Sequence, residues 1–110
     1  MTKTEIIDAI MSEVERAETI HPDWCCDSMH AAMLVAKQSW ELIQAALDHQ
    51  NEDPDPKNGD TVAQMYKEAV QTAAMTVRFL EGLPYYDGVL SDWVDGRPVN
   101  CRQAIQNGAE

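Results

Sequence analysis

Two stretches, 28 to 50 and 61 to 81, carry apolar residues at helical spacing, and only an acidic, proline-bearing loop separates them. Two long helices joined by so short a connection return antiparallel on each other. In the first stretch Met29, Met33, Ala36, Trp40, Ile43 and Leu47 make a seam, with Val35, Leu42 and Ala46 as a second apolar face. The polar remainder is a narrow arc of Lys37, Gln38, Glu41, Gln44 and Asp48, so this helix is expected at the centre of the fold. Asp27 stands where an N-cap is needed. The loop "QNEDPDPKNGD" ends at Asp60 or Thr61, where the second stretch begins. Its seam is Val62, Met65, Tyr66, Ala69, Ala73, Val77 and Leu80, and Gly82 followed by Pro84 supplies a stop after Leu80 or Glu81.

A third helix is expected over 3 to 20. Thr2 and Glu5 have the spacing of a capping box. Ile6, Ile10, Ala17 and Ile20 form a stripe, flanked by Ile7 and Val14, and His21-Pro22 closes it because a residue before proline leaves the α region. The chain beyond 83 is less regular. Residues 87 to 94 and 101 to 106 have the composition of short helical turns, and Tyr85, Tyr86 and Trp93 are expected to pack back on the helices or on a partner subunit. No stretch alternates as a strand does. The expected fold class is therefore all-α, an antiparallel helical bundle over 1–83 with a C-terminal tail over 84–110.

Charge removes several functions. With 19 acids against 8 bases the net charge is -11, which disfavours nucleic acid and anionic membrane as partners. No apolar run reaches the roughly 18–20 residues of a membrane span, and "MTKTEIIDAIMSEVE" is amphipathic rather than signal-like, so a cytoplasmic location is expected. Three cysteines, two of them adjacent, make a poor disulfide framework and agree with that location. A chain of 110 residues with this much apolar surface is expected to complete its core as a homo-oligomer, a dimer or a dimer of dimers.

Two groups of residues carry chemistry. "HPDWCCDSMH" holds His21, Cys25, Cys26 and His30, four soft ligands within ten residues. The spacing matches no standard zinc site, and the plainer reading is an interhelical loop with small, semi-buried thiols. The second group is Glu41 and Glu68, one on each long helix, which an antiparallel pairing brings towards each other. At 100° per residue Glu68 falls among Met65, Thr72, Met75 and Phe79. A carboxylate with such neighbours needs a partner: a cation, Lys37, Arg78 or water.

From about Glu13 to Leu83 the chain resembles the MazG-like all-α nucleoside triphosphate pyrophosphohydrolases, in "ERAETIHPDW", "HAAMLVAKQSWELIQAALD" and "EAVQTAAMTVRFLEGL". That resemblance implies a four-helix core completed by dimerisation. It also implies an E-E-x-x-E motif on one helix and E-x-x-D on another, whose acids hold Mg²⁺ on a triphosphate while water splits the α–β bond. Carried over by position, the first motif reads Lys37-Gln38-Ser39-Trp40-Glu41 and keeps only its last acid. The second reads Glu68-Ala69-Val70-Gln71 and has an amide for its aspartate. Lys37, Glu41 and Glu68 together carry a single net negative charge, too little to hold Mg²⁺ well. Lys37 is positioned to take the ion's place between the two glutamates, and Asp48, on the same face as Glu41, is a candidate replacement ligand. Trp40 stands where the family often has a small residue and would fill space near a substrate.

Three readings follow. In the first the chain is MazG-like with weak or lost catalysis, binding a nucleotide or a protein partner, with Lys37, Gln38, Trp40 and Gln71 as substrate-binding positions. In the second a reduced site of Glu41, Glu68 and Asp48 still works with Mg²⁺. In the third the chain is an interaction module alone, whose acidic surface mimics a polyanion.

Overall fold

The computed structural model describes residues 1–51, 60–88, 93–94 and 97–98. Three α-helices make up nearly all of this: α1, Lys3–Ile20; α2, Ser28–Gln50; and α3, Thr61–Glu81. The chain is all-α as expected. None of its described helices is long and apolar enough to cross a membrane.

The helix starts come from local chemistry. Thr2 accepts from the Glu5 amide at 3.1 Å while Glu5 reaches back to the Thr2 amide, so the box closes in both directions. Asp27 caps α2 by accepting from His30 N at 3.0 Å. Asp60 caps α3 through Val62 N and Ala63 N. Each cap satisfies amides that the helix itself leaves without acceptors.

The α2 and α3 helices pair antiparallel. His49 Nδ1 near the end of α2 meets Thr61 Oγ1 at the start of α3 at 2.8 Å, and the middles meet through Gln38 and Glu68. The face of α2 turned to α3 is Ala31, Leu34, Gln38, Leu42, Ala45 and His49, all buried or half-buried. It is not the seam of large residues that the sequence suggests. Met29, Met33, Ala36, Trp40, Ile43 and Leu47 all point to solvent in the single chain. Alanines win the inner position because Ala31 and Ala45 let two backbones approach closely, whereas a Met-Trp-Leu stripe needs more room. The α1 helix runs along the other side of α3 in the same direction: Ala9 to Arg16 lie by Tyr66 to Gln71, and His21 lies by Arg78. Among the described residues the buried apolar core is thin, consisting of Val14, Ala31, Ala45, Ala74 and Tyr86.

Residues 83–88 are part of this unit. Leu83–Gly88 is a kinked 3₁₀ segment in which Asp87 takes φ 52°, a left-handed conformation that Asp tolerates better than most residues. Its amide donates to Cys26 O at 2.9 Å, and its carboxylate accepts from Ser28 N at 3.0 Å and from the Ser28 hydroxyl. The start of α2 thus has a second carboxylate cap from far along the sequence. Those Ser28 hydrogen bonds hold the Asp87 carboxyl below its ordinary range. Of the short helix expected over 87–94, residues 89–92 lie outside the described residues, and Trp93–Val94 is not helical but pairs antiparallel with Arg97–Pro98 as a two-residue ladder. The turn expected over 101–106 lies outside the described residues, as does the Trp93 side chain.

Tyr86 is buried and does pack back. Its hydroxyl accepts from Trp24 Nε1 at 2.6 Å and donates to Phe79 O at 2.9 Å, while its ring lies 5.1 Å from that of Phe79. Gly82 is required by this cluster and not by backbone conformation, since its φ of -80° is open to any residue. A Cβ there would stand 2.5 Å from Tyr86 Oη and 3.0 Å from Trp24 Cδ1. Gly82→Ala is accordingly expected to cost about 1–3 kcal/mol in urea unfolding, the range for overfilling a packed site. A change below a few tenths of a kcal/mol would mean that the Tyr86 ring shifts freely.

Candidate functional site

The centre of the α2–α3 pairing is polar. Glu68 is buried, and both its oxygens are occupied by amides. Gln38 Nε2 donates to Oε2 at 2.7 Å, and Gln64 Nε2 donates to Oε1 at 2.9 Å. Gln38 Nε2 also reaches Gln71 Oε1 at 3.2 Å. A carboxylate only accepts, so the amide nitrogen of Gln38 must be the atom facing it, and the orientation of that side chain follows.

The structure brings together three of the sequence-derived positions, Gln38, Glu68 and Gln71. It places the others differently. Lys37 is exposed, and Gln38, not Lys37, satisfies Glu68. Glu41 is half-buried and Asp48 exposed, and among the described residues neither forms a hydrogen bond or ion pair. Trp40 is exposed, two positions and so some 200° around the helix from Gln38, and it lines neither cleft described below. The sequence did contain the signal that finds Gln38. In the run Ala31, Leu34, Gln38, Leu42, Ala45, His49 the two polar members are the ones that bond across to α3.

In this arrangement Glu68 is held by amide donors. The donors aimed at Glu68 are amide N–H groups, which repel a cation, and hard cations need oxygen ligands. Among the described residues no three His, Cys, Asp or Glu side chains lie close enough to share an ion. That covers His21, Cys25, Cys26 and His30 as well. Cys25 and Cys26 are free and half-buried, and burial raises the Cys25 thiol above its ordinary value. A raised thiol holds less thiolate at neutral pH. With Cys26 and Cys101 replaced by serine, Cys25 is therefore expected to react with iodoacetamide several-fold more slowly than a small free thiol at pH 8. Its rate should still be climbing above the pH where the free thiol levels off; an inflection at or below the ordinary thiol value would contradict the burial argument.

Beside the amide–carboxylate network a cleft of about 470 Å³ opens between α1, the 21–24 segment, α2 and α3. Gln38 and Gln71 form one wall, and Arg16, Trp24, Met75 and Arg78 form others. Arg78 is buried, lies 4.8 Å over the Trp24 ring and donates from Nη2 to His21 O at 2.6 Å. Arg16 grips Glu13 through two hydrogen bonds of 2.8 and 2.5 Å, which hold the Glu13 carboxyl below its ordinary range, with Lys67 adding to the effect. A second, shallower hollow of about 350 Å³ continues between α1 and α3 past Lys67. The main cleft has the size of a small-molecule site, and the Glu13 and Asp23 carboxylates line it beside the two guanidiniums, which already donate to Glu13 and to His21 O.

No protein-family model, curated protein or solved structure matches the chain.

Proposed function

We propose that the chain is a MazG-like relative of the nucleoside triphosphate pyrophosphohydrolases in which a metal site has become an amide–carboxylate network. It binds a nucleotide in the cleft beside Gln38 and Gln71, with weak or lost catalysis. One observation carries this reading. The motif positions 38, 68 and 71, on two different helices, meet in space, and two of the three are amides. An amide at 38 offers Glu68 a hydrogen bond where an acid would need a shared cation. The guanidinium, indole and amide groups of the cleft suit a flat, hydrogen-bonding ligand with anionic oxygens. The four-helix core of such a protein requires helices from a second chain.

The test is calorimetric titration with a panel of nucleoside mono-, di- and triphosphates, in Mg²⁺, in Mn²⁺ and in EDTA, with pyrophosphate release followed in parallel. The expected result is binding that persists in EDTA, with little pyrophosphate formed. Efficient Mg²⁺-dependent release, lost in both Glu41→Ala and Glu68→Ala with helicity retained, would replace this reading by the active enzyme. Absence of binding to every nucleotide would leave the interaction module.

A further inference from the structure

The shallow hollow between α1 and α3 is a feature that the amide–carboxylate network does not use. Glu13, Arg16 and Gln71 line both it and the main cleft, so the two volumes, about 350 and 470 Å³, run into each other. The hollow is rich in donors. Ser12, Tyr66 and Lys67 line it, and among the described residues none of these three side chains makes a hydrogen bond or an ion pair. The carboxylate beside them, Glu13, is taken by Arg16 through two hydrogen bonds of 2.8 and 2.5 Å, and Lys67 acts on it by charge. Two bonds from one guanidinium edge to both oxygens of an anion are the fork with which arginine holds a carboxylate or a phosphate. Glu13 thus fills the place of an oxyanion where further donors stand free. It lies one turn from Arg16 on the same helix, and a rotation of its side chain empties the fork.

We propose that this hollow is the phosphate subsite of a nucleoside monophosphate, whose phosphate displaces the Glu13 carboxylate from Arg16 and Lys67 and whose nucleoside lies in the main cleft towards Gln38. The proposal rests on the nucleotide reading above and adds where the anionic end sits and how many phosphates it has. The Gln38 end does not suit that group, because it holds the buried carboxylate of Glu68. Positive charge gathers on the other side. Of the chain's 8 Lys and Arg, Arg16, Lys67 and Arg78 line the cleft and the hollow, and Arg78 is occupied by Trp24 and His21 O. Arg16 and Lys67 remain for the ligand. A phosphate monoester carries about -1.5 to -2 at neutral pH, which two cations match. Each further phosphate adds negative charge that the hollow has no cation for, in a chain whose net charge is already -11. Glu13 is then a gate, one anion exchanged for another in the same fork.

Calorimetric titration of the full chain in EDTA tests this, with adenosine, guanosine, cytidine and uridine each beside its 5′-mono- and triphosphate. The expected result is a monophosphate bound about 10-fold or more tighter than its nucleoside, with the triphosphate no tighter than the monophosphate. Lys67→Gln should narrow the gap between monophosphate and nucleoside to about two-fold, and Glu13→Gln should widen it about five-fold because the fork then stands open. Glu15→Gln makes the same charge change at an exposed position of α1 outside both hollows, and should move the gap by less than about two-fold. All three positions are exposed or half-buried, so helical circular dichroism should be retained. Nucleoside and monophosphate bound equally, a gap unchanged in Lys67→Gln, a gap reduced in Glu13→Gln, or a triphosphate bound far more tightly in EDTA would each overturn the subsite and leave nucleotide binding in the cleft standing. Absence of binding by every compound would overturn both.

Discussion

Arg78→Ala should lower stability by about 3 kcal/mol, the largest loss expected from a single truncation in this chain. The guanidinium ties two segments together: it sits on α3, and on the 21–24 segment it stacks over Trp24 and donates to the carbonyl of His21. Alanine leaves that carbonyl without its donor, strips the cation from the indole face and opens the wall of the cleft. For a domain of this size the change corresponds to a fall of roughly 10–20 °C in melting temperature. Arg78→Lys keeps the charge but not the planar stacking or the fork of donors, and should recover less than half of the loss. Urea unfolding followed at 222 nm, at one fixed protein concentration, gives the comparison. A loss under 1 kcal/mol in the alanine variant, or full recovery with lysine, would show that the stacked geometry contributes little.

Gln38→Glu should have the second-largest effect, and one that depends on the medium. It puts a carboxylate within 2.7 Å of Glu68, where an amide now donates, and removes the donor to Gln71. In EDTA the variant is expected to lose about 1–3 kcal/mol, the penalty for a buried hydrogen bond turned into facing acceptors. Millimolar Mn²⁺ or Mg²⁺ should return most of it, because the pair then resembles an acidic metal site. The wild-type protein should show no such response. Thermal unfolding of both proteins with and without the ion measures the difference. Equal stability in EDTA, or a variant that the ions leave unchanged, would count against position 38 as a former ligand.

Both predictions concern contacts between segments distant in the sequence, and these were the least legible in it. Gln38 and Glu41 lie three residues apart on one polar arc, and periodicity alone gave no reason to prefer the amide. The choice rests on the rotation of α2 about its own axis. That rotation follows the alanines at 31 and 45, not the larger residues of the more conspicuous stripe. A small residue contributes little to an apolar pattern and much to how closely two helices approach. Gly82 makes the same point. Its place at the end of α3 was legible, but the reason for it, the Tyr86 hydroxyl standing where a Cβ would be, belongs to a packing that no local pattern records.

The start and end of each helix, the antiparallel return of α3 on α2 and the all-α class were determined by the sequence itself. These depend on interactions spanning only a few residues: a capping side chain and an amide three positions on, a proline after histidine, and a stripe repeating every turn. Tertiary structure alone decided which stripe of α2 turned inward, that Gln38 and not Lys37 met Glu68, and that Asp87 returned to cap the helix begun at Ser28. Each residue advances a helix surface by 100°, so a small rotation of one helix against another exchanges the residue at a contact while leaving every local rule satisfied.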